Sequence, residues 1–245
     1  MRKSFYLIFL SAGVFMGCSA SRSQLAGEQP NVLTTKEKKE GWVLLFDGQT
    51  TSGWHTYNRD TVSKNWKVVD GALVMNPREK TSRGMEDLVT NSDYENYELS
   101  LQWRISEGGN SGIIFNVKEA PKFANTWATG PEMQILDNEK AEDNKKENHL
   151  AGLLYDVTGT ASLSKPKPVG QWNDVRIIQK NGHLTFYFNG QKTLDVQQGS
   201  EEWKAMIAGS KFKTWKDFDV TPSGKIAFQD HGYEVAFRNV KLRTL

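Results

Sequence analysis

From residue 41 onward the chain runs in short stretches whose apolar positions recur every second residue. In ENYELSLQWRI (95–105), Tyr97, Leu99, Leu101 and Trp103 fall on one face and Glu98, Ser100, Gln102 and Arg104 on the other, as alternate strand side chains must. NWKVVDGALVMN (65–76) places two β-rich runs around Asp70-Gly71, a hairpin signature. DVRIIQKNGHLTFYFNGQKTLDV (174–196) holds three such runs separated by Asn181-Gly182 and Asn189-Gly190, which predicts a meander. GWVLLFDGQTTSGW gives a strand, an Asp47-Gly48 turn and an aromatic anchor at Trp54, and SGIIFNVK follows a Gly108-Gly109 turn. In the last stretch the apolar phase slips between Val235/Phe237 and Val240/Leu242, predicting a bulge near Arg238-Asn239. Helix is predicted in two places only: Glu201–Ala208, and a turn or two over Thr34–Glu40 with threonine as cap. Many short antiparallel strands with closely spaced turns predict an all-β sandwich or barrel.

In a sandwich each sheet buries one face, so the opposite parity lists what is displayed. With Leu99 and Leu101 inside, Gln102 and Arg104 face out. With Ile113, Phe115 and Val117 inside, Asn116 faces out. Met133 and Ile135 inside put Glu132 and Gln134 outside; Ile226 and Phe228 inside put Gln229 and His231 outside. Four strands thus offer side chains that hydrogen-bond or titrate, in place of the Thr, Ser and Lys of a plain solvated face. These residues are expected to share one functional sheet face.

Composition changes the picture mainly at the N-terminus. The 245 residues are 38% hydrophobic and 11% aromatic, with 21 glycines and 8 tryptophans, enough for one large β domain. Arg2 and Lys3 precede the apolar run Phe5–Leu10, and small residues lead to Gly17 and Cys18, the only cysteine. Residues 1–17 read as a signal peptide. The run is too short for a membrane span, and its end resembles a bacterial lipobox, with Cys18 as the lipidated first residue. Residues 18–35 then read as a polar tether and 36–245 as the folded domain. The expected location is the cell envelope, periplasmic or at the outer membrane, with the lipid as the sole membrane contact. An exported domain without further cysteines rests on its core alone. Loss of Arg2 and Lys3 takes the formal charge from +2 to zero, so nothing points to nucleic acid.

His149, in ENHLAGLLYD with Tyr155 beyond it, reads equally as a ligand-contacting loop residue or a satisfied surface histidine. His183, after an Asn-Gly turn, reads as an exposed turn residue. There is no nucleophile elbow, no H-E-x-x-H and no glycine-rich phosphate loop. Glu132, Asp137, His149 and His231 could together supply oxygen and nitrogen ligands to a divalent metal, although their spacing matches no motif.

Five blocks in order carry a wider resemblance: EKKEGWVLLFDGQTTSGWHTY, GNSGIIFNV, GPEMQILDNE followed by HLAGLLYDV, GQWNDVRIIQKNGHLTFYFNG, and IAFQDHGYEVAFRNVKLR. Together, over about residues 36–245, they resemble the 3-keto-disaccharide hydrolase family. The resemblance implies a concanavalin-A-like jelly-roll of two antiparallel sheets. It also implies a substrate whose C3 hydroxyl a separate oxidoreductase has converted to a ketone. Such chemistry needs a base for the C2 proton, an acid for the leaving oxygen, and positive charge or a metal at the enolate oxygen. On that reading Glu132 and His231 form the acid/base pair and Arg104 supplies positive charge. Asn116, Gln134 and Gln229 orient hydroxyls, while His149 and Tyr155 close the site. The competing expectation is a non-catalytic carbohydrate-binding module of the same fold.

Overall fold

The computed structural model describes residues 1, 29–79 and 84–245; residues 2–17 of the expected signal segment, and Cys18, lie outside the described residues. The described strands are β1 (Val43–Leu44), β2 (Trp54–Thr56), β3 (Trp66–Val69), β4 (Ala72–Met75), β5 (Leu88–Thr90), β6 (Tyr97–Ile105) and β7 (Asn110–Val117). They continue with β8 (Glu132–Leu136), β9 (Asn173–Lys180), β10 (His183–Phe188), β11 (Gln191–Gln197), β12 (Lys225–Phe228) and β13 (Val235–Thr244). The α-helices among the described residues are α1 (Thr35–Lys39) and α2 (Glu201–Ala208). Thr34 caps α1 in a reciprocal capping box with Glu37, and Ser200 caps α2 through the Trp203 N–H.

Two antiparallel sheets form a jelly-roll sandwich. The larger runs β11-β10-β9-β6-β13-β4-β3, with β1 also on β13; the smaller runs β2-β5-β12-β7-β8. The turns fall where their chemistry places them: Asp70-Gly71, Asn181-Gly182 and Asn189-Gly190 all adopt positive φ at both residues, which matches the right-handed twist of the hairpins they join. The β13 bulge lies at Asn239 (φ 53°), with the register against β6 slipping between Arg238 and Lys241. The folded domain begins before residue 36. Asn31 is buried and exchanges two hydrogen bonds with the bulge, its N–H to Asn239 Oδ1 (2.6 Å) and its Oδ1 from the Asn239 N–H (2.8 Å).

Between the sheets, Leu99, Leu101, Trp103, Ile113, Phe115, Met133, Ile135, Ile226 and Phe228 join one hydrophobic core, so parity is right for these positions. Ring stacks order it: Phe228 on Phe237 at 3.9 Å, Trp54 on Phe228 at 4.8 Å and Trp103 on Phe188 at 5.8 Å. The smaller sheet differs from the expectation of a solvated outer face. All eight residues of β7 and all five of β8 are buried. Trp127 and Phe123 pack over an apolar patch of Ile114, Val117 and Ala227 on that face. Segment 150–155 runs along β8, with Gln134 N–H donating to Leu153 O (3.0 Å) and Tyr155 N–H to Glu132 O (3.0 Å). Between these two covers lies a cleft.

Candidate active site

The cleft floor comes from three neighbouring strands. β8 supplies Glu132 and Gln134, β7 supplies Asn110, and Gln229 stands just beyond β12, its N–H donating to Gly112 O (3.0 Å). Trp127, Met85 and Phe212 make an apolar wall, Trp127 packing against Trp215 at 5.3 Å. Tyr155, Asp143, Lys211 and His231 complete the lining, and the cleft has a volume of about 160 Å³. Four functional groups expected from parity thus meet here: Glu132, Gln134, Gln229 and His231. His231 is exposed at the mouth.

Glu132 is only 6% exposed. Burial pushes its pKa up to about 8; the Lys211 ammonium opposes the rise, while Asp87 and Asp143 add to it. Its side chain fits because Gly112, its neighbour on β7, has no Cβ. A methyl added there would stand 2.0 Å from Glu132 Oε1. Gly112→Ala should therefore expel the carboxyl group from its seat. Misplacement by about 1 Å lowers turnover by roughly 10²-fold; a spectrum of native β content with lost activity is the expected outcome. Gln229 Oε1 is buried and accepts no hydrogen bond from any described residue. An orphaned acceptor costs about 1–3 kcal/mol in the folded protein, a cost that a bound hydroxyl would remove.

Lys211 reaches the site from the loop after α2. Its N–H donates to Asp156 Oδ2 (2.7 Å), and its ammonium lies 4.2 Å above the Tyr155 ring. Burial lowers the Lys211 pKa, against the pull of Glu132, Asp156 and Asp143. Burial likewise raises the Tyr155 pKa, reinforced by Asp143, which hydrogen-bonds its hydroxyl. Sequence reasoning missed Lys211, Asp143, Asn110 and Gly112. Lys211 sits in KFKTW, where no strand parity applies, and Gly112 is informative only once its partner strand is known.

Four expected participants are elsewhere or differently employed. Arg104 belongs to β6, in the other sheet, and projects from that sheet's outer face with its guanidinium 4.9 Å from the Trp172 ring. Parity assigned its direction correctly, but strand pairing put it across the sandwich. Asn116 points inward, not out. It adopts φ 57° in a bulge where Val117 pairs with Lys225 but Ile114 with Ala227, which inverts the alternation. Its amide donates to Gln179 Oε1 and Asp219 Oδ1, both at 3.0 Å. His149 is a strut under the cleft wall, 5% exposed, with Nδ1 2.7 Å from Asp143 Oδ1 and Nε2 2.7 Å from Asp156 Oδ1. It also packs on Tyr155 at 4.4 Å, so it positions lining residues without lining the cleft. Asp137 receives the N–H groups of Gly108 (2.7 Å), Glu139 (3.0 Å) and Lys140 (3.3 Å) and closes a turn. The proposed metal set therefore does not converge: among the described residues, no three His, Cys, Asp or Glu side chains gather as a metal site.

Comparison with known proteins agrees with this architecture. A 3-keto-disaccharide hydrolase of Bacteroides thetaiotaomicron is 29% identical over the full length of both chains. A crystal structure from Parabacteroides distasonis, assigned provisionally as a glycosyl hydrolase, superposes with a TM-score of 0.81 at 34% identity, covering 89% of this chain and all of the other. A second P. distasonis structure with the same provisional assignment gives 0.63 at 25% identity, covering 83% and 99%. Residues 41–243 match the sequence profile of the 3-keto-alpha-glucoside-1,2-lyase-like domain, and the chain belongs to that family.

Proposed function

We propose that the chain cleaves 3-keto-glycosides by elimination across C1 and C2, with or without subsequent hydration. The observation that carries this reading is Glu132, a buried carboxyl group whose pKa of about 8 suits proton abstraction near neutral pH. A C3 ketone acidifies the C2 proton. Glu132 takes that proton, the C–H electron pair enters the enolate, and the enolate expels the C1 oxygen substituent. His231, at the mouth, gives the leaving oxygen its proton. Water adding across C1=C2 yields the free 3-keto sugar; without it the unsaturated keto sugar is released. Lys211 replaces Arg104 as the cation at the developing enolate oxygen. Gln134 and Gln229 hold ring hydroxyls, and Trp127 with Phe212 offers an apolar wall to a pyranose face.

The substrate then comes from a separate oxidoreductase acting at C3. The N-terminal segment fits delivery to the cell envelope on a lipid at Cys18. Purified protein incubated with an aryl 3-keto-glucoside and with the unoxidised glucoside should release the aglycone from the first alone. Equal binding of both without release would instead identify a non-catalytic carbohydrate-binding module.

A further inference from the structure

The cleft that holds Glu132 adjoins a second, outer lobe of about 320 Å³, at the low end of small-molecule sites, roughly 300–1,000 Å³. Asn110, Asp143, Tyr155 and His231 line both spaces, so the two lobes meet across those four side chains. Glu132 and Lys211 line the inner lobe alone, whereas Glu142 and Tyr233 line the outer lobe alone.

Asn110 points to a ligand at the junction. It stands two residues before Gly112 on β7, and alternation puts both on the face where Glu132 lies. The residue is 7% exposed, yet its carboxamide hydrogen-bonds to no described residue. Buried amides ordinarily have partners, and this one offers the lobes a donor and an acceptor. Glu142 is exposed at the outer rim and pairs with no described cation. Asp143, by contrast, is engaged by His149 Nδ1 (2.7 Å) and by the Tyr155 hydroxyl. Among the described residues no Lys or Arg lines this lobe. Tyr233, whose ring lies within 18° of parallel to His231, adds an aromatic face.

The order of the reacting groups sets which lobe takes which part of the substrate. Glu132 acts at C2 from the inner lobe, and His231 protonates the leaving oxygen at the boundary. The substituent on that oxygen therefore continues outward. We propose that the outer lobe is the leaving-group subsite, where Asn110 hydrogen-bonds the leaving group and Glu142 discriminates against an anionic one. The inference rests on the elimination reading above, from which it takes its direction. It narrows the substrates to 3-keto-glycosides with an uncharged, hydroxylated leaving group and ranks conjugates of uronic acids below them. Two like charges about 4 Å apart in water repel enough to change affinity about fivefold, an effect that salt screens.

The test compares kcat/KM at low ionic strength for three 3-keto-glucosides, whose leaving groups are methanol, glucose and glucuronic acid. Wild type is expected to turn over all three, to prefer the glucose conjugate to the methyl one, and to disfavour glucuronate about fivefold against glucose. Glu142→Gln should bring the glucuronate-to-glucose ratio close to one, and added salt should shrink the discrimination in wild type. Asn110→Ala should lower the preference for glucose over methyl about fivefold, the worth of one net hydrogen bond. Glu142 lies on an exposed loop, so its variant reports even where the buried Asn110 substitution does not fold. Turnover without leaving-group preference overturns the subsite and leaves the elimination reading standing. So does a glucuronate ratio unmoved by Glu142→Gln, or a glucose preference unmoved in folded Asn110→Ala. Turnover of none of the three overturns the elimination reading and the subsite with it.

Discussion

Glu132→Gln is expected to lower turnover of a 3-keto-glucoside by about 10²–10⁴-fold, the range a positioned general base supplies, and to raise thermal stability at alkaline pH. Both effects come from one property. The native carboxyl group has a pKa near 8, against an ordinary value of 4.5. Between those values the folded protein retains a proton that the unfolded chain has lost, so stability falls as pH rises from about 4.5 to 8 and then levels off. Glutamine carries no such penalty. The variant should melt like wild type near pH 4 and increasingly above it up to pH 8, gaining roughly 1.4 kcal/mol per unit of pKa difference. For a domain of this size each kcal/mol moves Tm by roughly 2–4 °C. Wild-type kcat/KM should rise with pH and level off near pH 8 as the base ionises. An active Glu132→Gln, or one whose melting temperature shows no pH-dependent gain, would remove Glu132 from this role.

Lys211→Met carries the second large effect. A preorganised charge at a developing oxyanion typically contributes about 10²–10³-fold, and the loss should appear mainly in kcat. The same substitution removes a cation that favours ionised Glu132, so the ascending limb of the pH profile should move to higher pH. Lys211→Arg, which keeps the charge, should recover part of the rate and return the profile toward its original position. A profile unmoved by Lys211→Met would mean that the ammonium does not act on Glu132.

Much of the fold was legible because its signals are local. Turns such as Asp70-Gly71 and Asn189-Gly190 carry their geometry in two residues, and the β13 phase slip marked its bulge. The threonine before α1 marked its start. The site was half legible for the same reason. Glu132, Gln134, Gln229 and His231 lie on strands, or just past them, where alternation holds. Arg104 was misplaced because alternation tells a side chain's face but not which sheet the strand joins, and pairing of β6 with β9 and β13 is a long-range event. Asn116 was misplaced because a one-residue bulge reverses every later position. The converse also holds: Lys211 and Asp143 come from loops whose fold depends on contacts such as Lys211 N–H to Asp156 and His149 to Asp143. No period in the sequence encodes those.

In the proposed elimination the bond to C1 breaks after the C2 proton has left. Proton NMR of a 3-keto-glucoside turned over in D₂O reads this directly, with the free 3-keto sugar in the same buffer as the control for spontaneous exchange. Elimination followed by hydration places solvent deuterium at C2 of the product, and elimination alone leaves no hydrogen there, so the expected result is loss of the original C2 proton from the product. Product that retains its C2 proton would show direct displacement at C1 and contradict it.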